Sequence, residues 1–379
     1  MADKKILTVG RPNIGNINKF IDYTKDIFQS QWLTNNGKYL KMFEEKLKDF
    51  LNVRNVIAVT NGTTGLQIAI KALNMNGEII VPSYTFVATV HSLHWLGIVP
   101  VFCDINTDTY NIDADKIEML INSNTTGILP VHVYGRPVEI NKIDDIAKKY
   151  NLNVLYDAAH AIGNTYKGKM VGNFGDVEVF SFHATKIFNT FEGGAICTNN
   201  DELADKMRAM RNFGFINNGV SSYVGINGKM PEISAAMGIV NFDDFEYFRN
   251  INRENYLYYK NKISKINGIK LIEYNENELN NYQYIIIEIN EKTTGVNRDE
   301  LFNFLIQNNI YVKKYFYPPC HKMEPYNNLY KVVNLPNTDL VSSRVLSLPT
   351  GSSVSSNDID LIISFIKKFL DNKEANNNH

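Results

Sequence analysis

Between Tyr156 and Ile196 the chain sets an acid at Asp157, an imidazole at His160 and an amine at Lys186. The amine lies in the run Ser181-Phe182-His183-Ala184-Thr185-Lys186, and Glu192-Gly193-Gly194 follows. A lysine amine condenses with an aldehyde, and a carboxylate facing a pyridine nitrogen keeps that ring protonated as an electron sink. An acid followed by such an amine is the order that pyridoxal phosphate chemistry requires, and the chain reads as an enzyme. A lone lysine is usually a solvated surface charge. Lys186 instead follows an apolar run and sits among Phe182, Ile187 and Phe188. Desolvation there would lower its pKa and free the amine for condensation and proton transfer.

The neighbouring candidates each carry a plainer alternative. Asp157 ends an apolar run and is followed by two alanines. A protonated pyridine nitrogen would partner its buried charge, or the side chain caps the next segment. His160 either makes a polar contact with the cofactor ring or its phenolic oxygen, or is a satisfied core histidine. Thr60-Asn61-Gly62-Thr63-Thr64-Gly65 follows a strand pattern and opens a helix pattern. Backbone N–H groups and the helix dipole would converge there on an anion, although a simple cap at Thr63 explains the run equally well. Ser181 and His183 suit a phosphate or substrate contact, with packing the alternative for His183. Phe86, in the run from Pro82 to Thr89, has the shape to stack on a flat ring or to fill the core. His91, His94 and Trp95 lack the carboxylate of a metalloprotease helix, so no metal site is expected. No P-loop, GxGxxG or GxSxG pattern is present.

These residues need a scaffold, and the chain patterns one. Runs at 56–60, 78–82, 99–105, 127–133, 153–157 and 177–183 read as strands buried on both faces. Helical patterns at 64–73, 88–95, 114–120 and 140–150 lie between them. Repeated strand–helix–strand units imply an α/β fold with a mostly parallel central sheet, whose ligands sit beyond the carboxyl ends of the strands. Asp157 and His183 both fall at such ends. Beyond Pro231 a helix runs through Phe242 and a long polar and aromatic helix follows at 249–263. Strands at 269–273, 284–289 and 311–316 with helices at 298–307 and 358–370 read as a smaller C-terminal α+β domain. The expected division is 1–245 for the large domain with its N-terminal segment, 246–372 for the small domain, and 373–379 for a disordered tail.

The 379 residues are 44% hydrophobic and 21% charged, enough for one large core and a second smaller one. A formal charge of -1 gives no support for a nucleic-acid or anionic-membrane partner. Cys103, Cys197 and Cys320 form no CxxC pair, so a reducing compartment fits. No apolar run is long enough to span a bilayer, and a cytoplasmic location is expected.

Six runs occurring in order sharpen the reading: Trp32-Leu33-Thr34-Asn35-Asn36-Gly37, Asn61-Gly62-Thr63, Pro82 to Thr89, Asp157-Ala158-Ala159-His160, Ser181 to Lys186 with Glu192-Gly193-Gly194, and Val224-Gly225-Ile226-Asn227-Gly228-Lys229-Met230. Together they resemble the DegT-type nucleotide-sugar aminotransferases, which are fold type I pyridoxal phosphate enzymes. The resemblance covers nearly the whole chain and weakens after about residue 240. It implies a homodimer with two active sites at the subunit interface. It also implies that Lys186 holds the pyridoxal 5'-phosphate, Asp157 faces its pyridine nitrogen, and Gly62, Thr63 and Ser181 bind its phosphate. Phe86 matches an aromatic stacking position, His160 a position often held by glutamine, and Asn227 an asparagine that reaches the phosphate in the partner's site. Substrate contacts are expected at Thr34, His183, Lys229 and Tyr317. Relatives that replace the lysine by histidine are dehydratases, so the lysine here favours transamination.

The phrase from Ser181 to Gly194 is most similar to the subgroup that aminates C4 of dTDP-4-keto-6-deoxyglucose. C3-acting relatives more often carry Tyr-Pro-Gly-Lys followed by Gly-Asp-Gly-Gly. The implied reaction is a ping-pong transfer from L-glutamate to the dTDP-linked ketosugar, giving dTDP-4-amino-4,6-dideoxy-D-glucose for surface-glycan, O-antigen or lipopolysaccharide biosynthesis. Its rivals are a C3 aminotransferase, a dehydratase, and a non-enzymatic cofactor-binding regulator.

Overall fold

The strands of the central sheet are short apolar runs with almost no exposed residue, as burial on both faces demands. Asn55–Val59 and Gly194–Thr198 are buried throughout, and Glu78–Pro82, Asn153–Asp157 and Val177–Ser181 nearly so. In the computed structural model, which describes residues 6–217, 219–330 and 333–377, seven strands form this sheet. Their order is Asn55–Val59, Gly194–Thr198, Val177–Ser181, Asn153–Asp157, Thr125–Ile128, Glu78–Pro82 and Val99–Cys103. Gly194–Thr198 runs antiparallel to both its neighbours, and every other pairing is parallel. Six strands therefore end on one edge, and the antiparallel one begins there.

The helices that cover the sheet form where apolar residues recur on one face. Ile140–Tyr150 buries Ile140, Ile143, Ile146 and Ala147 and stops at Asn151 in the left-handed region. Gly62–Ala72 buries Leu66, Ile68, Ala69 and Ile70, and the Asn61 side chain caps it by accepting from Thr64 N at 2.8 Å. Two N-terminal helices, Ile17–Ser30 and Lys38–Leu51, pack on Glu232–Asp243. The buried Glu232 carboxylate accepts from the amides of Gly37, Tyr39 and Leu40 at 3.0, 2.7 and 3.3 Å, joining those helix ends.

Several elements differ from the sequence expectation. Residues 114–120 form two 3-10 turns, Ala114–Lys116 and Glu118–Leu120, closed by Ile117 N to Ala114 O and Leu120 N to Ile117 O bonds. The strand expected at 127–133 is Thr125–Ile128, because Pro130 has no N–H for the ladder. Of the strand expected at 311–316, Lys313 forms an isolated bridge with Ser347, and Tyr311 belongs to a two-residue strand, Ile310–Tyr311, that pairs in parallel with Leu7–Thr8. That pairing draws the N-terminal segment onto the small domain, where Leu7 joins the core. Conversely, Cys320, Tyr326 and Leu335 join the core of the large sheet.

The small domain is otherwise an antiparallel sheet of Ile269–Leu271, Ile285–Ile289 and Val345–Leu348. Helices Phe245–Ile263, Arg298–Gln307 and Ser356–Asn377 complete it. The last helix runs past residue 370 through much of the expected disordered tail. Phe304 stacks on Phe369 with centroids 4.6 Å apart, Lys373 pairs with Glu300 at 2.6 Å, and no proline or glycine interrupts the helix. Asn378 and His379 lie outside the described residues. Among the described residues no helix is long and apolar enough to cross a membrane.

Candidate active site

At the edge where the strands end, a cavity of about 320 Å³ opens between the sheet and the small domain. Its size is at the lower end of the range for small-molecule sites. Gly62, Thr63, Phe86, Asp157, His160, Ser181, His183 and Lys186 all line it. One wall is the start of the Gly62–Ala72 helix, where Gly62 N and Thr63 N make no hydrogen bond among the described residues. Such free first-turn amides, on the positive end of a helix, suit an anion. The backbone is crowded here. A Cβ on Gly194 would lie 2.8 Å from Gly62 N, and one on Gly62 would lie 3.2 Å from Ser181 Cβ. These close approaches leave the amides and the Ser181 hydroxyl free to face the cavity.

Asp157 is buried at the carboxyl end of its strand. Its Oδ2 accepts from Thr89 Oγ1 at 2.8 Å and its Oδ1 from Ala159 N at 3.0 Å. The Ala159 contact is the capping role that the sequence left open, and it coexists with a place in the cavity wall. Burial pushes the carboxyl pKa up, against the hydrogen bonds from Thr89 and Ala159 and the charge of Lys186. Thr89 Oγ1 is also bonded to Thr85 Oγ1 at 2.8 Å.

Lys186 keeps some accessible surface because its amine faces the cavity, and Nζ lies 3.4 Å from Tyr284 Oη. The atoms packed around it lower its pKa to about 8, with the Asp157 charge opposing. Its backbone N–H donates to His183 O at 2.8 Å, which fixes the turn that presents it. His160 is buried, its ring near-parallel to Phe316 and 4.7 Å from the Tyr284 ring. Tyr134 N donates to its Nδ1 at 3.3 Å, which places the ring proton on Nε2. Burial, and then the Lys186 charge, hold His160 well below its usual pKa, so the ring is neutral. His183 Nδ1 accepts from Thr185 N at 3.2 Å, and its Nε2 faces Glu192 Oε1 at 3.6 Å.

Four expected contacts lie outside this cavity. Asn227 and Thr34 are exposed, and Lys229 Nζ donates to Asn212 Oδ1 at 3.2 Å while lying over the Phe213 ring. Tyr317 turns outward, with the Arg298 guanidinium 4.6 Å from its ring centroid. Conversely, Thr85, Thr89, Tyr284, Lys313 and Phe316 line the cavity without having been singled out. The two threonines stand in the Pro82 to Thr89 run, one helical turn apart on the face toward Asp157. Tyr284 and Phe316 reach the site only by packing of the small domain, which no local pattern announces.

A desolvated amine, a buried carboxylate near it and a helix N-terminus with free amides, all lining one cavity at the sheet edge, fit pyridoxal phosphate by donor type. The fold and this site define a pyridoxal-phosphate-dependent aminotransferase. The chain belongs to the DegT/DnrJ/EryC1/StrS aminotransferase family, whose profile matches residues 16–367. It is 40% identical to the dTDP-4-amino-4,6-dideoxy-D-glucose transaminase of Shigella dysenteriae over 96% of this chain and 99% of the relative. It is 32% identical to the GDP-perosamine synthase of Caulobacter vibrioides over 98% and 100%. The crystal structure of DesI in the presence of its TDP-sugar product superposes with a TM-score of 0.95 at 38% identity, covering 100% of this chain and 96% of that one. The protein is a sugar aminotransferase.

Proposed function

We propose that this enzyme transfers the amino group of L-glutamate to C4 of dTDP-4-keto-6-deoxy-D-glucose, giving dTDP-4-amino-4,6-dideoxy-D-glucose for surface-glycan biosynthesis, and that it works in the cytoplasm as a homodimer. Likeness to the Shigella transaminase along almost the whole of both chains carries the choice of sugar. When bound, pyridoxal phosphate supplies the electron sink and carries the amino group between the two substrates. Lys186 would hold its aldehyde, Asp157 its pyridine nitrogen, and the Gly62 and Thr63 amides with the Ser181 hydroxyl its phosphate. Phe86 would stack on the ring, and His160 would contact the ring or its phenolic oxygen.

Once the amino donor has displaced it from the aldehyde, Lys186 Nζ takes the proton from the donor's Cα, and in the separate second half of the reaction it delivers a proton to C4 of the sugar. Its pKa of about 8 leaves part of the amine neutral near neutral pH, as a base requires. The Tyr284 hydroxyl beside it limits where that amine points. His183 faces the sugar. Asn227, with Thr34 and Lys229, acts across the dimer, a reading supported by the exposure of Thr34 and Asn227 together with that of the apolar Trp32, Val224 and Ile226 beside them. Tyr317 contacts the substrate from the small domain.

The test is the product formed from dTDP-4-keto-6-deoxyglucose, glutamate and cofactor. Large proton couplings from H4 to both ring neighbours support an equatorial C4 amine. A small H3–H4 coupling, amination at C3, or no turnover sinks the assignment. Likeness to the Caulobacter GDP-perosamine synthase favours a GDP-linked ketosugar as the second reading, and the same assay with that substrate separates the two.

A further inference from the structure

Behind Lys186 a narrower chamber adjoins the main cavity. The two share Thr185, Lys186, Tyr284 and Tyr315, and the narrow one is also lined by the exposed Arg11 and the buried Asn13. The chain on either side of Arg11 is held in place. Val9 N donates to Tyr311 O at 3.1 Å, and Asn13 is bonded through Nδ2 to Ile187 O at 3.0 Å and through its carbonyl to Asn189 Nδ2 at 2.8 Å. Gly10, at φ +81°, lets this segment close on the residue before Lys186, since an added Cβ would stand 3.0 Å from Thr185 Cβ. Arg11 is thus presented from an anchored backbone beside the amine. Its own guanidinium is exposed and has no ion pair or hydrogen bond among the described residues.

The chamber has a second unmet demand. Asn252, 2% exposed, and Gln283 both line it, and Asn252 Oδ1 and Gln283 Oε1 have no hydrogen-bond partner among the described residues. The chamber, about 30 Å³, has room for a water and not for a ligand. A ligand group belongs at the mouth, where Arg11 stands.

We infer that Arg11 binds the α-carboxylate of the amino donor, an L-α-amino acid. The carboxylate is bonded to the carbon that carries the exchanged amine, so it must be recognised beside Lys186. A guanidinium offers two parallel N–H donors matched to a carboxylate. The ketosugar has no carboxylate, so Arg11 serves one half of the reaction and is idle in the other. The inference rests on the reading above that the donor is an amino acid.

The test uses holoenzyme and 2-methylglutamate, which has no α-proton to lose and therefore binds without turnover. Calorimetry is expected to show binding weakened about 10–100-fold in Arg11→Ala, the range for a lost charge-assisted hydrogen bond. Arg11→Lys should recover part of it. The KM for glutamate should rise in parallel, while the KM for the 4-amino sugar in the reverse direction stays within about twofold. Unchanged 2-methylglutamate binding by Arg11→Ala overturns the inference. So does an equal loss for both substrates, or a binding defect found in Lys313→Ala and not in Arg11→Ala. A wild-type enzyme that binds 2-methylglutamate but does not aminate the ketosugar refutes the sugar assignment and leaves the role of Arg11 standing.

Discussion

Replacing Lys186 by methionine should make the cofactor-free protein more stable at neutral pH, although it removes the residue on which the proposed chemistry depends. Burial lowers Lys186 from 10.5 to about 8, with the attraction of Asp157 already included in that balance. The difference of about 2.5, at about 1.36 kcal/mol each, amounts to about 3 kcal/mol of lost stability when the ammonium is carried in the folded state. The sign follows from the order of the two values. The folded pKa lies below the unfolded one, so the unfolded chain binds the proton more readily. Below about pH 8 both states are protonated and the full penalty applies; between about 8 and 10.5 only the unfolded state is, and wild-type stability climbs with pH. Methionine keeps an unbranched chain of similar length with no charge. Urea denaturation of both cofactor-free proteins should therefore show a gap of about 3 kcal/mol in favour of Lys186→Met at pH 7, shrinking to about 1.4 kcal/mol at pH 9.5. A variant less stable than wild type at pH 7, or a gap that does not change with pH, refutes desolvation as the cause of the lowered pKa.

Two further outcomes are expected. Mixing Asn227→Ala with Lys186→Ala protein should regenerate hybrid sites with both residues intact, so activity should exceed either parent; no recovery after confirmed subunit exchange counts against a shared site. Thr89→Val removes the 2.8 Å donor to Asp157 Oδ2 and should destabilise the cofactor-free protein by about 1.5–3 kcal/mol while Asp157 is ionised. That loss should fade at acid pH, because the hydroxyl stabilises the carboxylate and not the neutral acid; a pH-independent loss would mean that Thr89 matters only for packing.

The residues legible in the sequence are those whose position follows from the strand–helix period. Asp157 and Ser181 end neighbouring parallel strands, and Gly62 follows a strand that reaches the same edge through the antiparallel Gly194–Thr198. Lys186 was readable because an amine set among Phe182, Ile187 and Phe188 contradicts its surroundings. No local pattern marks Gly194–Thr198 as a strand, since Glu192-Gly193-Gly194 reads as a motif and an antiparallel strand has no crossover helix to announce it. Tyr284 and Phe316 were hidden for a different reason: they reach the site from the small domain, through contacts more than a hundred residues away in sequence from Asp157 and His160. Leu7–Thr8 is too short for any period to show, and its place depends on a partner at Ile310–Tyr311.

The central claim is that Lys186, in the cavity with Asp157, is the residue that holds the cofactor. Wild-type holoenzyme reduced with borohydride, digested and mapped by mass spectrometry tests it without relying on turnover. The account predicts the cofactor-derived mass on the peptide carrying Lys186 and its absence from Lys186→Ala. The mass on another lysine, such as Lys313 in the same cavity, or on no lysine of a protein that binds the cofactor, would contradict it.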